Sequence, residues 1–443
     1  MAVLTAVAPQ RSAFVAPVES SGTVTLRKSV YALTPDEVTQ YRLAVYRLAQ
    51  ISQQVTTDQR GYQWIAGLHG APNYYCHRVQ PAFALWHRPY IQQYEQRLQD
   101  VVEDAFVPYW DWTTHQAQEQ GIPDIFTAQT WTNPDTNAQE PNPLLTQPQT
   151  LIGRGSTARQ PQDPANLVPL RAMVHDAMFA PDYVSFSTDL ENPHNSLHMW
   201  VGGDMGNIAY AAYDPLFWSH HAFVEYVFCQ WQDAHPNATR PPLSQQDLAP
   251  FSVTLDQIWD YKNLGYAYVP DNASPLTLSG VSAGPGAAAG NTLRSRATVA
   301  HFPLYTIDPE DIRRAEVVFD GLRRPEESLA VRIFADNDDA TAQTPLDDPS
   351  YLGTRFFFGH GECSGAEGHC DPIPRDIYDL RPPHHYAPRQ VRVNITKPLK
   401  RLIALRGDPD AKDASITLVA VDAAGNAIDD ADLYFEGLSV VVR

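Results

Sequence analysis

The histidines of this chain fall in two short stretches whose spacing few folds would produce without a purpose. The first places His69 in Gly67-Leu68-His69-Gly70, then Cys76-His77, then Phe83, Trp86-His87-Arg88 and, eight residues after His87, Glu95. The second reads His194-Asn195-Ser196-Leu197-His198, then Asp214-Pro215-Leu216-Phe217-Trp218-Ser219-His220-His221. His194 and His198 are four residues apart, so on a helix they share one face. Each stretch supplies three imidazoles, and two trios point to a pair of metal ions rather than one. Neutral imidazole suits copper, zinc, iron or nickel. With no thiolate trio and no carboxylate inside the spacing, all-histidine sites point first to copper.

Composition removes several alternatives. With 443 residues the chain has room for two domains. Its 51 acidic against 32 basic residues give a net charge of −19, which repels phosphate backbones and anionic lipid, so neither nucleic acid nor a membrane is an expected partner. No apolar run reaches the roughly 18 residues that cross a bilayer. The N-terminal stretch MAVLTAVAPQRSAF lacks a basic segment followed by an apolar one, so a soluble, cytoplasmic protein is expected, with secretion by an unseen precursor left open. Four cysteines are too few for a disulfide framework. The sequons at Asn237, Asn272 and Asn394 matter only on a secretory route.

Thr34-Pro35-Asp36-Glu37 is a helix start with a capping box, and Val38, Tyr41, Val45, Leu48 and Ile51 continue it on one face to about Gln53. A second helix carries Trp86, Tyr90, Tyr94, Leu98 and Val101 inward, with His87 near its start. A third, too short to show periodicity, carries His194 and His198; a fourth runs from about Leu216 to Trp231. Helices that turn histidines inward are how a bundle builds a metal site in its core. The proline-rich stretch 132–170 reads as long surface loops. Small residues dominate Ser274–Thr292, after which the pattern changes to short β-prone runs: Arg314–Phe319, Leu329–Phe334, Arg355–Phe358, Gln390–Ile395, Leu402–Leu405, Ser415–Val421 and Leu438–Val442. The expected architecture is a multi-domain α + β chain: a helical bundle with a binuclear metal centre over 1–275, a linker over 276–292 and an antiparallel β-sandwich over 293–443.

The stretch His77…Phe83-Ala84-Leu85-Trp86-His87-Arg88…Glu95 resembles the first copper signature of the type 3 copper proteins, the family of tyrosinase, catechol oxidase and molluscan haemocyanin. His194-Asn195…His198 with Asp214-Pro215-Leu216-Phe217…His221 resembles the second, and the resemblance covers about residues 35–235. It implies two copper ions, one held by His69, His77 and His87 and one by His194, His198 and His221, with His220 beside the ligands rather than among them. Three departures stand out. Ala84 replaces a larger apolar residue, Glu225 replaces an aspartate, and Cys76 directly precedes His77, where the thioether of relatives spans one intervening residue. Cys76 is therefore only a candidate for that bond. Arg88 and Glu225 are expected to pair between helices near the metals.

The family implies dioxygen as co-substrate and small phenols as substrates. It allows three chemistries: hydroxylation of monophenols with oxidation of o-diphenols to quinones, oxidation of o-diphenols or o-aminophenols alone, and reversible oxygen carriage. Glu191 and Asn195 stand where relatives hold a water that deprotonates phenol, which favours the first. Met199 is expected at the substrate mouth. Molluscan carriers string many units together and this chain has one, which argues for an enzyme; oligomeric state is left open. The C-terminal domain resembles the shielding domain of relatives, so the uncut chain is expected to be latent, with Phe357 or Phe358, alternating on one strand, as the aromatic plug. Cys363 and Cys370, beside His360 and His369, read as a disulfide or two quiet thiols before a metal site, since the spacing fits no zinc pattern. Cys229 reads as core.

Overall fold

The computed structural model describes residues 24–76, 80–270 and most of 289–442; residues 294–295, 303, 305–306, 362–369, 371–383, 385, 406–412 and 432 lie outside the described set with the two termini. His77, Cys363, His369 and most of the expected linker therefore fall outside it.

The N-terminal half carries helices α1 (Pro35–Gln54), α2 (Tyr62–Ala66), α3 (Phe83–Val101), α4 (His115–Gln120), α5 (Val168–Met178), α6 (Tyr183–Val201), α7 (Leu216–Ala234) and α8 (Leu255–Trp259). Thr34 caps α1 with the full reciprocal box, its side chain taking the Glu37 N–H while Glu37 takes its own. The chain enters as β1 (Thr25–Arg27), which pairs in parallel with β4 (Tyr266–Tyr268) and clamps the two ends of the helical half together. A hairpin, β2 (Thr130–Asn133) with β3 (Ala138–Pro141), occupies the stretch expected to be loop. That stretch is not wholly superficial: Leu144 and Leu167 are fully buried in the helical core. Helix α6 is the larger surprise, running 19 residues around the histidine pair with Pro193 inside it. Its Asp182 cap and continuous burial from Pro193 to Val201 hold it where sequence periodicity does not show it, because polar residues such as Ser187, Glu191, His194, Asn195 and His198 are buried with the apolar ones and break the apolar-inward rhythm.

The C-terminal half holds two four-stranded antiparallel sheets. With β5 (Ala289–Leu293), β6 (Arg296–Phe302), β7 (Ala315–Leu322), β8 (Leu329–Ala335), β9 (Tyr351–Phe357), β10 (Arg389–Asn394), β11 (Ala414–Val421) and β12 (Leu433–Val442), their orders are β10-β7-β12-β5 and β6-β11-β8-β9. Val317 and Phe319 of one and Val331, Ile333 and Leu418 of the other share a single apolar core. The first strand opens at Ala289, inside the expected linker. Leu402–Leu405 is not a strand but the end of α9 (Thr396–Leu405). Four consecutive apolar residues fit either structure, and here Leu399 and Leu402, three apart, set a helical face against the sheet core. Among the described residues no helix is long and apolar enough to cross a membrane.

The halves exchange side chains. Phe358, just past β9, is buried in the helical core, whereas Met199 of α6 is buried among Ala330, Phe334, Ala340, Val419 and Val421 of the sheets.

Candidate metal centre

Two clusters of buried donors sit side by side in the helical core: His194, His198, His220 and His221, and His69, Cys76 and His87, each with its donor atoms within 4.8 Å of one another. The rings of His87 and His221 stack at 4.1 Å and join the clusters into one site.

In the first cluster α3 supplies His87, whose Nδ1 lies 2.8 Å from the Phe83 carbonyl one turn back. A carbonyl only accepts, so Nδ1 carries the proton and Nε2 offers its lone pair inward. His69 follows α2 in a turn, within 4.7 Å of the Phe217 ring. That turn is pressed against the chain before α7: a Cβ on Gly70 would stand 2.2 Å from the Ile208 carbonyl, so only glycine fits. Cys76 is not in a disulfide, and its sulfur lies 3.4 Å from His87 Nε2.

The second cluster has the sharper geometry. Nε2 of His194 lies 3.1 Å from that of His198 and 3.2 Å from that of His221, and the last two are 3.4 Å apart. Nitrogens at about 2.0 Å from one ion at tetrahedral angles stand about 3.3 Å from each other, so this triangle fits one metal ion. The tautomers of His198 and His194 are set from outside. His198 Nδ1–H donates to the Met205 carbonyl at 2.8 Å. Asn195 gives its amide N–H to the Phe356 carbonyl at 2.9 Å, which turns its oxygen to His194 Nδ1, also at 2.9 Å. His220 differs. Trp112 donates to its Nδ1 at 3.0 Å, so the proton sits on Nε2 and no lone pair remains for a metal. Burial, reinforced by neighbouring imidazoles, holds His220 and His221 well below the ordinary histidine range, which keeps both neutral.

Around the donors stands an aromatic wall. Phe83 meets His194 at 4.6 Å, Phe217 meets His221 at 4.0 Å, and Trp86 packs on Tyr90 and Phe251. Behind it Arg88 Nε reaches Glu225 at 2.8 Å, both side chains with 0% exposure. Arg27 clamps Glu95 at 2.9 Å through two nitrogens, and Tyr266 donates to Glu225 at 2.9 Å. Burial alone would push the Glu225 carboxyl up; Arg88 and Arg27 outweigh it and hold it below its usual range.

The cover comes from the C-terminal half. The Phe358 ring lies 4.2 Å from that of His198 with 20° between planes. Gly359 pins it there, its carbonyl taking the Ile208 N–H at 2.9 Å, and a Cβ on it would meet Glu327 backbone at 2.4 Å. Phe357 points instead into the sheet core, 6.0 Å from Phe319, so of the two rings only Phe358 stands at the histidines. Met199, expected at the substrate mouth, packs against Ala330, Phe334 and Val419 of the sheets. Glu191 accepts from Arg355 at 2.6 Å, and Asn192 bonds the backbone of Thr354 and Phe356. Arg314 holds Asp189 with two contacts of 2.8 Å. A cleft of about 860 Å³ lies in this seam, between α5, α6 and the sheets, and none of the clustered histidines lines it. Cys370 is disulfide-bonded.

Nothing in the sequence marks Trp112 beyond the aromatic run Tyr109-Trp110-Asp111-Trp112, and nothing marks the Met205 carbonyl or the partnership of Arg355 with Glu191. Of the remaining histidines, His115 is exposed and His235 caps α7 against the Trp231 carbonyl.

Comparison with known proteins agrees with the geometry. Residues 59–234 match the model of the common central domain of tyrosinase. Tyrosinase of Streptomyces glaucescens is 30% identical over 240 residues, 48% of this chain and 85% of that one. Hemocyanin 1 of Megathura crenulata is 29% identical over 272 residues, 50% of this chain, which spans only 8% of that long protein. In structure, a functional unit of octopus hemocyanin superposes over 94% of this chain and 99% of its own at a TM-score of 0.60 and 22% identity, so the shared fold includes the C-terminal sheets. Two trios of inward-facing donors, matched along the sequence and in the fold, place the chain in the tyrosinase and haemocyanin family of binuclear copper proteins.

Proposed function

We propose that the protein is a tyrosinase-type polyphenol oxidase that uses dioxygen to hydroxylate monophenols and to oxidise o-diphenols to o-quinones, latent while its C-terminal half is seated as a β-sandwich cover. In this reading His69, His77 and His87 hold one copper ion and His194, His198 and His221 the other. The bound pair supplies dioxygen binding and two-electron oxidation. One observation carries the enzyme reading: Phe358 lies parallel to His198 at 4.2 Å, an aromatic ring lodged where a phenol would enter. A pocket that accepts the side chain of phenylalanine is shaped for that of tyrosine.

The chain's own residues then bind and orient. Phe83 and Phe217 exclude water, and the ring of the substrate takes the place of Phe358 on His198. Glu191 is the candidate base for the phenol proton, directly or through one water, with Asn195 fixing the site beside it. In the closed state both are occupied, Glu191 by Arg355 and Asn195 by the Phe356 carbonyl. The cover thus blocks entry and ties up the polar pair with one strand end.

Oxygen uptake on tyrosine, catechol and o-aminophenol, with copper content, before and after cleavage within 275–292, tests this reading. Turnover that rises after cleavage supports it. A protein with two coppers that turns blue reversibly in air and oxidises none of the three is a carrier, the second reading that the hemocyanin relatives motivate.

A further inference from the structure

The seam cleft of about 860 Å³ is lined from both halves of the chain, and no member of the donor clusters takes part in it. We propose that this cleft binds a small aromatic carboxylate and that the bound acid fastens the cover. The site stands on the seam geometry; the fastening rests on the latent-oxidase reading.

The volume is that of a small-molecule pocket, and such pockets form preferentially where domains meet. The helical half contributes Met173, Phe179 and Trp200 to the lining, and the sheets contribute Tyr351 and Phe356. Met173, Phe179, Tyr351 and Phe356 are only half-buried, so each keeps apolar surface open to the cleft. Walls of this kind favour a flat ring, which meets aromatic side chains by offset and edge-to-face contacts.

Charge selects the head group. Most cations of the lining are already matched: Arg314 by Asp189 and Glu316, Arg355 by Glu191, Arg392 by Glu316 and Lys397 by Asp176. Arg332 differs, and Arg313 stands exposed. Arg332 is two residues from Ala330 on β8, opposite Thr354, while Phe356 is opposite Ala330. All four line the cleft, so this is the sheet face that the cleft sees. One Arg332 nitrogen donates to the Ala342 carbonyl, and Arg332 forms no ion pair among the described residues. Burial pulls its guanidinium below the ordinary range, and Asp422, engaged by Asn426, opposes this only in part. A carboxylate accepts two parallel N–H bonds from such a group, which a neutral ligand cannot match. A ligand held by both halves binds the closed state and not the open one, so its binding free energy adds to whatever keeps the cover seated.

The probe is naphthoate, followed by equilibrium dialysis against the full, uncut chain. Wild type is expected to bind it, with affinity at least about tenfold lower for uncharged naphthamide and for naphthoate in Arg332→Met, the loss of one charge-assisted contact. Met173→Trp, which fills the cleft and keeps Arg332, is expected to lose binding as well. No binding by wild type, equal affinity for acid and amide, or unchanged affinity in either variant overturns the site. In uncut Phe358→Ala, whose cover is loosened, naphthoate at ten times its Kd is expected to lower catechol oxidation about tenfold. Adding Arg332→Met should abolish that inhibition. Unchanged turnover, or inhibition that persists without Arg332, overturns the fastening. A chain that binds the acid but holds no copper and oxidises no catechol refutes the oxidase reading and supports the site.

Discussion

The two donor clusters are neighbours made of different materials. The second is set by helices: His194 and His198 lie one turn apart on α6, His221 comes from α7, and the three nitrogens already form a triangle with sides of 3.1–3.4 Å. The first draws on one helix, one turn and the segment after it, with a sulfur among its donors. Helical positions carry their geometry in the backbone, whereas a turn such as Gly67–Gly70 takes its shape from what it is pressed against. The second site is thus preorganised by its helices, whereas the shape of the first depends on what packs against its turn.

Loss of a ligand has the largest expected effect at either cluster. His198→Ala is expected to reduce copper from two ions per chain to one and to lower oxygen uptake by more than about a hundredfold, since even partners that merely orient ligands cost 10–100-fold. His69→Ala should have the same effect on turnover but, in elemental analysis, leave the second site filled. If either variant keeps both ions, the clusters are not two separate sites.

Next in size is the charge network that holds α3 to α7. Glu225→Ala leaves Arg88 and Arg27 buried without their shared partner, which costs about 3–5 kcal/mol in urea unfolding. The same change should lower the occupancy of both coppers, because His87 and His221 stack across that helix pair. A variant that keeps wild-type stability and copper would show that the pair is decorative. Glu225→Gln, which keeps the shape and loses the charge, is expected to fall between.

Phe358 sharpens a second contrast, that between blocking the site and holding the cover down. Burying a phenylalanine side chain contributes about 2–3 kcal/mol, which is about a 30- to 160-fold bias toward the closed state. Buried ion pairs across the seam offset most of their own desolvation cost, so the ring outweighs Arg355–Glu191 as the fastening. Phe358→Ala is therefore expected to raise catechol oxidation by uncut protein about thirtyfold, with Phe357→Ala lowering stability instead, since that ring packs in the sheet core. Arg355→Met should chiefly affect tyrosine turnover, by releasing Glu191. Equal effects of Phe358→Ala on both substrates and none of Arg355→Met would remove Glu191 as the base.

How much of this was legible in the chain follows from where each signal is written. The capping box at Thr34, the aromatic stripe of α3 and the histidine spacings are local, and local patterns survive in sequence. Helix α6 is hidden because it is buried almost all round, and Leu402–Leu405 is misleading because four apolar residues have no period. The histidine doublet could be divided only by spacing and resemblance. The structure adds a donor from Trp112, more than a hundred residues away, that occupies one ring of the two. The choice between Phe357 and Phe358 was likewise beyond alternation, because Phe358 lies after the strand ends, where Gly359 and Ile208 set its direction.

The smallest effect concerns pH and the seam. Burial pushes the Asp189 carboxyl up to about 6, and Arg314 at 2.8 Å only partly opposes this. In the unfolded chain an aspartate titrates near 3.9. The folded state therefore binds the proton more tightly, and this group's contribution to stability is full below about pH 4 and is lost as pH rises through 6. A shift of about two units, softened by relaxation around a buried pair, amounts to about 1–2 kcal/mol. Denaturant titrations of wild type and Asp189→Asn at pH 4, 5, 6 and 7 isolate it, because other titrating groups cancel in the difference. Wild type is expected to lose stability relative to the variant between pH 4 and 6 and to run parallel above about 6.5. A difference of the opposite slope would mean that the Arg314 ion pair outweighs the desolvation of Asp189, and that the seam closes on charge rather than in spite of it.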